Sequence, residues 1–389
     1  MREDWEYKTF GEIGSFLRGK NIQKADFVSG GLPCIHYGQI HTKFDISIDY
    51  HLSEIPQEVY DKAIIASPGD VIIAITSEDI DGSCKSVVWL GNYDIAVSAH
   101  AAILKHNMNG KFIAYYLRSN TFFTQKLKYA RGFKVMEIKT KDLAKLVLPI
   151  PPKSTQLSIV SELDKLNELI RIKKEQLKDY DTLAQSIFYE MFGDPVVNEK
   201  GWEVKTFGEC FSIGAGGTPS TKVKGYWDNG TIPWIGSNMC QNCIITETDG
   251  KFITEEGLTH SSTKLLAPGT VLVALVGATI GKVGLLRIET CTNQNVAFIK
   301  VQETETFTSE FVYYHLMGLY GEFMKIGQGN FKMANQGFIK LLPISLPPLS
   351  LQHSFAQRIE QIEQQKAAIQ KTITDLETLL AARMQYWFD

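Results

Sequence analysis

Long hydrophobic runs and paired cysteines are scarce in this sequence. No apolar run approaches the roughly 18 residues that a membrane-spanning helix needs, and the charged start MREDWEYKTF is unlike a signal peptide. We therefore expect a cytoplasmic protein with no membrane contact. Six cysteines in 389 residues do not make a disulfide scaffold. Cys240 and Cys243 form a CxxC pair without the second Cys or His pair of a zinc site, so we expect reduced thiols and no metal.

A strong excess of either charge is also missing. The formal net charge is −3, with 21% charged and 44% hydrophobic residues, which is ordinary for a globular protein. Such a chain is not a polycation that adheres to any nucleic acid, so a nucleic-acid-binding face must be local. The length of 389 residues predicts two or three domains.

Recognisable catalytic signatures are few and incomplete. The sequence has no HExxH motif and no dense histidine cluster. Residues 277–282 (GATIGK) resemble a phosphate-binding P-loop, but they have one residue too few between the glycines and are followed by Val283 instead of Ser or Thr. Glu137 and Lys139 match the end of a nuclease ExK motif, which is short enough to recur by chance. We expect no catalytic residue and no cofactor.

A long helical segment, residues 153–192, is the most regular feature of the chain. About 40 residues at about 1.5 Å each give a helix of about 60 Å. The spacing of its apolar residues is the 3.5-residue period of a coiled-coil seam, which needs a partner helix. The predicted seam is Ile159, Leu163, Leu166, Ile170, Leu177, Tyr180, Ala184, Ile187 and Met191.

The C-terminal segment repeats this helix and supplies the partner. Pro151-Pro152 correspond to Pro347-Pro348, Gln156 to Gln352, and Phe192 to Phe388, so both segments begin and end alike. We predict that the two helices are duplicates and that each is the partner of the other. The second seam comprises Phe355, Ile359, Ile362, Lys366, Ile369, Ile373, Leu376 and Leu380.

Polar residues within the helices have predicted roles. Ser154 and Ser350 follow the prolines and suit the N-cap position. Lys173 and Lys366 occupy seam positions. They either fix the register of the helix pair at some cost in stability or extend their ammonium groups to the surface over packed stems. We favour the second interpretation.

The rest of the chain is duplicated too. WEYKTFGE (5–12) matches WEVKTFGE (202–209), and SPGDVIIAI (67–75) matches APGTVLVAL (267–275). KFIAYYL (111–117) matches EFVYYHL (310–316), and GFKVM (132–136) matches NFKMA (330–334). A repeat of this size is a duplicated domain and not a solenoid. The predicted order is a domain at 1–152, a long helix at 153–193, a domain at 194–348 and a long helix at 349–389.

The sequence predicts that each globular domain belongs to the α+β or α/β class. Apolar runs rich in β-branched residues after Pro-Gly turns predict strands, and 3.6-residue spacing predicts helices. The predicted strands are 71–75, 96–104, 146–150, 271–275, 296–301 and 341–346, and the predicted helices are 112–128 and 311–325.

The loops, unlike the framework, differ between the two copies. The second domain carries GAGGTPSTKVKGYW (214–227) where the first has LRGKN (17–21), and GSNM (236–239) where the first has HYGQ (36–39). Glycines there allow close backbone approach, and hydroxyls and lysines offer donors to phosphates and bases. Residues 105–145 are rich in Lys and Arg, which suits phosphate contacts or, before residue 130, a solvated helix face.

The motifs resemble those of one known family over essentially the whole chain. These are GGTPSTKVKGYW (216–227), KLLPISLPPLSLQ (340–352), its twin KLVLPIPPKSTQ (145–156), and the helix ends SIFYEMFGDP and ARMQYWFD. Together they resemble the specificity subunit of Type I restriction–modification enzymes. The first domain lacks the GGTPS sequence, so its correspondence rests on alignment with the second.

The resemblance implies a function. Each globular unit would be a target recognition domain that reads one half of a bipartite, asymmetric site in double-stranded DNA, with the antiparallel helices as spacer. The subunit would have no catalytic centre and would recruit two methyltransferase (modification) subunits and restriction or translocase subunits. Helices of about 60 Å limit the separation of the half-sites to about 18 base pairs, and a gap on the order of one helical turn is expected.

The predicted DNA-binding residues lie in the divergent loops. In the second domain they are Thr218, Ser220, Thr221, Lys222, Lys224, Asn330 and Lys332. In the first they are Arg18, Lys20, Tyr37, Gln39, Arg131 and Lys134. Two alternatives stay open at this point: a self-sufficient DNA-cleaving enzyme using Glu137 and Lys139, and a coiled-coil adaptor that does not touch DNA.

Overall fold

The computed structural model describes residues 5–132, 135–326 and 333–389. The chain divides into two compact units, Met1–Lys174 with Lys371–Asp389, and Glu175–Gln370. The division passes through both long helices, so each unit contains one globular domain and a half of each helix. The predicted domain and helix order is thus an order along the chain, whereas packing groups each domain with parts of both helices.

The strands of the first unit are short. The β-branched and apolar runs of the sequence form four-residue strands, as at Val71–Ala74 and Ser86–Trp89. The strands are β1 (Glu6–Thr9), β2 (Gly14–Arg18), β3 (Leu32–Ile35), β4 (Ser47–Ile48), β5 (Ser53–Ile55), β6 (Ile64–Ala66), β7 (Val71–Ala74), β8 (Thr76–Ser77), β9 (Ser86–Trp89), β10 (Ile95–Val97), β11 (Ala101–His106), β12 (Met136–Glu137) and β13 (Val147–Ile150).

The helices of this unit are short apart from the last. Several begin at a residue whose side chain caps the first turn, as Asn109 and Ser119 do for α4 and α5. The helices are α1 (Phe10–Ile13), α2 (Tyr37–Thr42), α3 (Gln57–Tyr60), α4 (Gly110–Tyr116), α5 (Asn120–Lys126), α6 (Thr140–Leu143) and α7 (Lys153–Phe192).

The second unit repeats this order with fewer elements. Its strands are β14 (Val204–Thr206), β15 (Ser212–Ala215), β16 (Ile232–Ile235), β17 (Cys243–Ile245), β18 (Phe252–Ile253), β19 (Leu265–Leu266), β20 (Val271–Ala274), β21 (Val283–Leu286), β22 (Thr290–Thr292), β23 (Val296–Lys300) and β24 (Pro343–Ser345). Its helices are α8 (Phe207–Cys210), α9 (Glu255–Thr259), α10 (Ser309–Gly318), α11 (Tyr320–Met324), α12 (Gln336–Leu341) and α13 (Leu349–Phe388).

The sheets of the two units have the same topology. A five-stranded sheet has the order β2-β11-β7-β9-β4 in the first unit and β15-β23-β20-β21-β17 in the second. A four-stranded sheet has the order β5-β3-β10-β6 in the first and β18-β16-β22-β19 in the second. The first and last strands of each domain pair antiparallel, as β1 with β13 and β14 with β24. The duplication and the mixed α and β class predicted from the sequence are confirmed.

Two predicted elements are divided in the structure. The strand predicted at 96–104 is two strands in different sheets, because Ser98–His100 turn the chain from β10 to β11. The helix predicted at 112–128 is α4 and α5, which are separated where Ser119 caps α5 through the backbone N–H of Phe122. The helix predicted at 311–325 is likewise α10 and α11. Apolar periodicity continues across these breaks and so did not reveal them.

The long helices α7 and α13 pair in antiparallel fashion within each unit. In the first unit Glu162 pairs with Arg383 and Lys174 with Glu377, so residue numbers rise on one helix as they fall on the other. In the second unit the Lys366 ammonium donates to Asp181 at 2.7 Å. Lys366 therefore bridges the two helices, and its side chain is partly buried. The side chain of Lys173 is partly buried as well.

The seam is only part of what these helices bury. Ile159, Leu163, Phe355 and Ile359 are fully buried as predicted. Phe188, which the 3.5-residue pattern omits, is also buried, with its ring 5.8 Å from that of Phe311 and 5.6 Å from that of Phe355. The helix halves thus belong to the cores of the globular domains as well as to the helix pair. A seam pattern predicts one packing partner, the other long helix, whereas each helix also packs against the globular domains.

The entry to each long helix explains the shared Pro-Pro and Gln. The buried Gln156 amide donates to the Pro151 carbonyl and accepts from the Asn109 N–H, which joins the helix start to the cap of α4. Helix α7 begins at Lys153, and the Gln156 N–H bonds the Pro152 carbonyl. The predicted N-caps Ser154 and Ser350 are therefore wrong, since both lie inside the first turn.

Candidate nucleic-acid interface

The connection between β10 and β11 supports the divergent loops of the first domain. The Ser98 hydroxyl accepts from the Tyr37 N–H at 2.9 Å. The carbonyl of Ala99 accepts from Arg18 Nε at 3.2 Å. The backbone N–H of Lys20 donates to the Val97 carbonyl at 3.1 Å. The structure thus brings together three of the predicted DNA-binding residues, which lie far apart in sequence.

Gly19 allows this arrangement. A Cβ atom at Gly19 would lie 2.2 Å from the Ser98 carbonyl oxygen and 2.5 Å from that of Val97. No other residue type has room there, because both obstacles are backbone atoms. Arg18 and Lys20 are consequently held on an exposed surface on either side of a buried glycine.

Tyr37 lies among three imidazole rings that sequence reasoning missed. Its ring centroid is 4.6 Å from that of His36, 4.8 Å from that of His100 and 6.2 Å from that of His41. Burial lowers the pKa of His36, which keeps that imidazole neutral at pH 7. Only the strand connection brings His100 to this group, and no sequence motif marks it.

Gln39 is committed to its own loop. Its side-chain oxygen accepts from the His36 N–H at 2.9 Å, and its amide nitrogen donates to the Ser53 hydroxyl at 2.7 Å. This is the reciprocal capping arrangement of α2. Its predicted contact with DNA stays a prediction, and the bonds observed here position the loop that carries Tyr37.

Arg131 and Glu137 form an antiparallel backbone bridge beside this surface. The Arg131 N–H donates to the Glu137 carbonyl at 3.1 Å, and the Glu137 N–H donates to the Arg131 carbonyl at 2.8 Å. The Glu137 carboxylate forms an ion pair with Arg18, with 3.2 Å between Oε1 and Nη2. Lys134 lies outside the described residues. Glu137, considered above as a nuclease carboxylate, is therefore engaged with a predicted DNA-binding arginine.

The second domain builds the same support with other side chains. Its β22–β23 connection, residues 293–295, corresponds to residues 98–100. The Gly216 N–H donates to the Val296 carbonyl at 3.1 Å, and the Gly217 N–H to the Thr292 carbonyl at 2.8 Å. A Cβ at Gly216 would lie 2.2 Å from the Thr292 carbonyl oxygen. The close approach predicted for these glycines is thus, in the structure, an approach to the protein's own backbone.

The loop that follows these glycines is anchored at several points. The Thr218 hydroxyl donates to the Gln294 side-chain oxygen at 2.5 Å. Trp234 Nε1 donates to the Gly217 carbonyl at 2.9 Å, and Trp227 Nε1 to the Ser220 carbonyl at 3.3 Å. The side chains of the predicted set in this loop are exposed, namely Thr218, Ser220, Thr221, Lys222 and Lys224. Asn330 and Lys332 lie outside the described residues.

Several cations of the Lys- and Arg-rich stretch at 105–145 have partners within the protein. Lys126 is buried, and its ammonium donates to the carbonyls of Asp81 and Ser83. Four other cations pair with acidic residues distributed along the chain, namely Lys105 with Asp70, Lys111 with Asp164, Arg118 with Asp45 and Lys145 with Asp142. Sequence order hides these partners, and phosphate contact by the remaining cations of the stretch stays a prediction.

The remaining sequence candidates have local roles. Burial raises the pKa of the Cys240 thiol, and the Cys243 thiol contacts the Met239 carbonyl. The Lys282 ammonium of the P-loop-like segment donates to the Gln241 side chain at 2.7 Å. Among the described residues, no group of three or more His, Cys, Asp or Glu side chains could hold a metal ion. In the same part of the chain, no helix is both long and apolar enough to cross a membrane.

Comparison with known families agrees with this duplicated architecture. The model of the Type I restriction modification DNA specificity domain matches residues 2–179 and again residues 199–378. The two matches correspond to the two copies of the scaffold. The chain belongs to this family.

Individual relatives are similar over differing lengths. The specificity subunit of the Type I restriction enzyme EcoR124I/EcoR124II from Escherichia coli is 28% identical over 222 residues, which is 54% of this chain and 52% of that relative. The putative Type I restriction enzyme MjaX specificity subunit from Methanocaldococcus jannaschii is 24% identical and covers 93% of this chain and 87% of its own length.

Two solved structures share the fold over nearly the full chain. A chain from a type I restriction–modification system, solved to explain complex assembly and conformational transition, has a TM-score of 0.62 at 18% identity. It covers 100% of this chain and 98% of its own. The S subunit of the Type I system of M. genitalium has a TM-score of 0.56 at 14% identity and covers 99% and 96%. At these identities the likeness concerns the fold.

Proposed function

We propose that this protein is the DNA sequence-recognition subunit of a Type I restriction–modification system. Each globular domain reads one half of a bipartite, asymmetric site in double-stranded DNA. The observation that carries the proposal is the shared strand connection at 98–100 and 293–295, which supports a different set of exposed side chains in each domain. Two half-sites of different sequence require different side chains, and here the same backbone scaffold carries them in both domains.

The chemistry of these surfaces suits DNA. Arginine, lysine, threonine and serine side chains donate to phosphate oxygens and to base edges in the grooves. The donors are concentrated in a few loops on a chain whose net charge is −3. Affinity would thus come from local contacts and not from a global positive charge.

The long helices are proposed to set the spacing between the two half-sites. They are also the proposed docking surface for two methyltransferase subunits and for restriction or translocase subunits, which would supply the chemistry to a non-catalytic chain. Specificity subunits among the relatives, and the fold shared with a chain of a solved type I assembly, support these partners. Because the proposed ligand is DNA, the cytoplasm is the proposed location.

A domain exchange tests the proposal. Residues 1–152 are replaced by the corresponding domain of another specificity subunit, and each full-length chain is co-expressed with its modification subunits. Genome-wide mapping of methylated sites then gives the recognised sequence. We expect the exchange to change one half-site and to leave the other half-site intact. A change in both half-sites, or in neither, contradicts the assignment of one half-site to each domain.

A further inference from the structure

The Arg18–Glu137 ion pair joins two strand ends of the first domain. Arg18 is the last residue of β2, which pairs with β11 in the five-stranded sheet. Glu137 is the last residue of β12, where it pairs with Thr76 of β8. The side chains are 51% and 33% exposed, respectively, so the pair lies on the surface. Both groups are held by regular backbone, which suits a contact that needs fixed geometry.

The described contacts use one edge of the Arg18 guanidinium. A guanidinium has five N–H donors arranged in a planar fork. Nε donates to the Ala99 carbonyl, and Nη2 lies 3.2 Å from the Glu137 carboxylate. These contacts use Nε and Nη2, and they leave the two N–H groups of Nη1 for a ligand.

The duplicated domain provides an internal comparison. Arg18 pairs with Ala102 on β11, and its counterpart Ala215 pairs with Ala297 on β23. Glu137 pairs with Thr76, and its counterpart Met333 pairs with Val276. Both members of the ion pair are therefore replaced together, by alanine and methionine, on the same scaffold.

The next backbone hydrogen bond fixes this correspondence. The Ile138 N–H donates to the Ile75 carbonyl at 3.0 Å, and the Ala334 N–H donates to the Leu275 carbonyl at 2.9 Å. The sequence match of GFKVM with NFKMA made Met136 the counterpart of Ala334 in the other domain. That alignment is therefore wrong by two residues. The alignment rested on similar residue types, whereas the strand pairing shows that Ala334 is the counterpart of Ile138.

The carboxylate argues against a phosphate as the partner of Arg18. A glutamate 3.2 Å from the guanidinium offsets its positive charge and repels a phosphate that approaches the same group. The edge of guanine presents two neutral acceptors, O6 and N7, spaced for two N–H donors of one arginine. A pinned guanidinium with a free edge matches that pair of acceptors.

We propose that Arg18 reads a guanine in the half-site of the first domain and that Glu137 is the positioning residue that orients Arg18 for it. This assignment rests on the proposed function. It makes the ion pair a determinant of sequence that the second domain does not share. Loss of either member relaxes the requirement for one guanine and leaves the other half-site unchanged.

The test compares full-length chains, each co-expressed with the modification subunits in a host without DNA methylation of its own. The variants are Glu137→Gln and Arg18→Ala. The control is Asp45→Asn, which removes the carboxylate charge from another arginine pair of the same unit, with Arg118. Methylated sites are mapped genome-wide, and thermal unfolding confirms that each chain is folded.

We expect Arg18→Ala to lose discrimination at one guanine of one half-site, by roughly tenfold to a hundredfold. Glu137→Gln weakens the preference at the same position, and Asp45→Asn changes no position. If Arg18→Ala does not fold, the assignment is tested by Glu137→Gln alone, which should weaken the preference for one guanine of one half-site. An unchanged motif in Glu137→Gln, or a uniform loss of methylation without a change of motif, overturns the assignment.

Salt dependence of DNA binding gives a second measurement. Removal of a phosphate contact lowers the slope of log K against log salt by about 0.9, whereas loss of a guanine contact leaves that slope unchanged. A lower slope with an unchanged motif contradicts base reading by Arg18. If the wild-type chain directs no bipartite methylation, the proposed function itself fails. If its motif is bipartite but insensitive to both variants, only the present inference fails.

Discussion

Gln352 accepts a hydrogen bond from the backbone N–H of Thr308 at 3.0 Å. Its amide nitrogen also donates to the carbonyls of Pro347 and Thr306. The fully buried side chain thus ties the start of α13 to the cap of α10. Gln156 makes the corresponding contacts with Asn109 and Pro151 in the first unit. The two glutamines join the long helices to the globular domains by the same geometry.

Replacement of Gln352 by leucine is expected to destabilise the second unit by about 2–4 kcal/mol, because it leaves several buried backbone groups without a hydrogen bond. Urea unfolding measures the effect. Gln357→Leu on the exposed face of the same helix is the control and should cost under about 0.5 kcal/mol. Equal losses in the two variants would show that Gln352 does not clamp the helix.

His315 makes the second unit sensitive to acid. Burial lowers its pKa to about 4, and one ring nitrogen bonds the Pro343 carbonyl at 3.0 Å. Since the unfolded chain takes up the proton first, near pH 6.5, stability present above that pH is lost as pH falls toward 4. The loss amounts to about 3 kcal/mol at most.

His315→Gln keeps an N–H donor and does not titrate. Urea unfolding of both proteins from pH 7.5 to pH 4 should show a shallower decline for the variant. Tyr116 fills the equivalent place in the first unit, where its hydroxyl donates to the Val147 carbonyl at 2.6 Å, so that unit lacks this histidine effect. Parallel pH curves for the two proteins would contradict the assignment to His315.

Lys126 holds the segment between β8 and β9 in place. Its buried ammonium bonds two carbonyls of that segment, and burial lowers its pKa. Lys126→Met should destabilise the first unit by about 2 kcal/mol and speed hydrogen exchange in residues 79–85. Lys128→Met, at an exposed position of the same stretch, is the matched control. If both variants exchange alike, the ammonium does not hold the segment.

Glu162 joins α7 to α13 in the first unit. Its carboxylate accepts from the Arg383 guanidinium and from Trp387 Nε1. The hydrogen bond with Arg383 lowers the pKa of Glu162, so the stabilisation is present above about pH 4.5 and is lost as pH falls through the lowered value.

We expect Glu162→Gln to cost about 1 kcal/mol at pH 7, a modest value because the pair is partly exposed. The difference from wild type should shrink by pH 3.5 in urea unfolding. Glu168→Gln, whose partner Arg171 lies on the same helix, is the control and should leave the free energy of unfolding nearly unchanged. A cost for Glu162→Gln that does not depend on pH would argue against an ionic contribution.

The sequence revealed the repeated framework because local patterns carry it. The Pro-Pro entries, the shared Gln156 and Gln352, and the 3.5-residue seam all repeat within short windows, so duplication and the paired helices could be predicted. The extra burial of Phe188 could not be predicted, because the pattern of one helix does not show how many surfaces it meets.

The site could be predicted only in part, because its contacts join distant segments. Divergent loops pointed to Arg18 and Tyr37, yet nothing local linked them to residues 98–100. The ion pair of Arg18 with Glu137 joins positions that only the sheet pairing brings together. The same cause concealed the acidic partners of Lys105 and Lys111.

Mapping of methylated sites for the wild-type chain, co-expressed with its modification subunits, tests the central claim most directly. The account predicts one motif with two specified blocks of different sequence, separated by a spacer of fixed length and free sequence. A single continuous block, a palindrome with identical halves, or methylation without sequence preference would contradict the assignment of one recognition domain to each half-site.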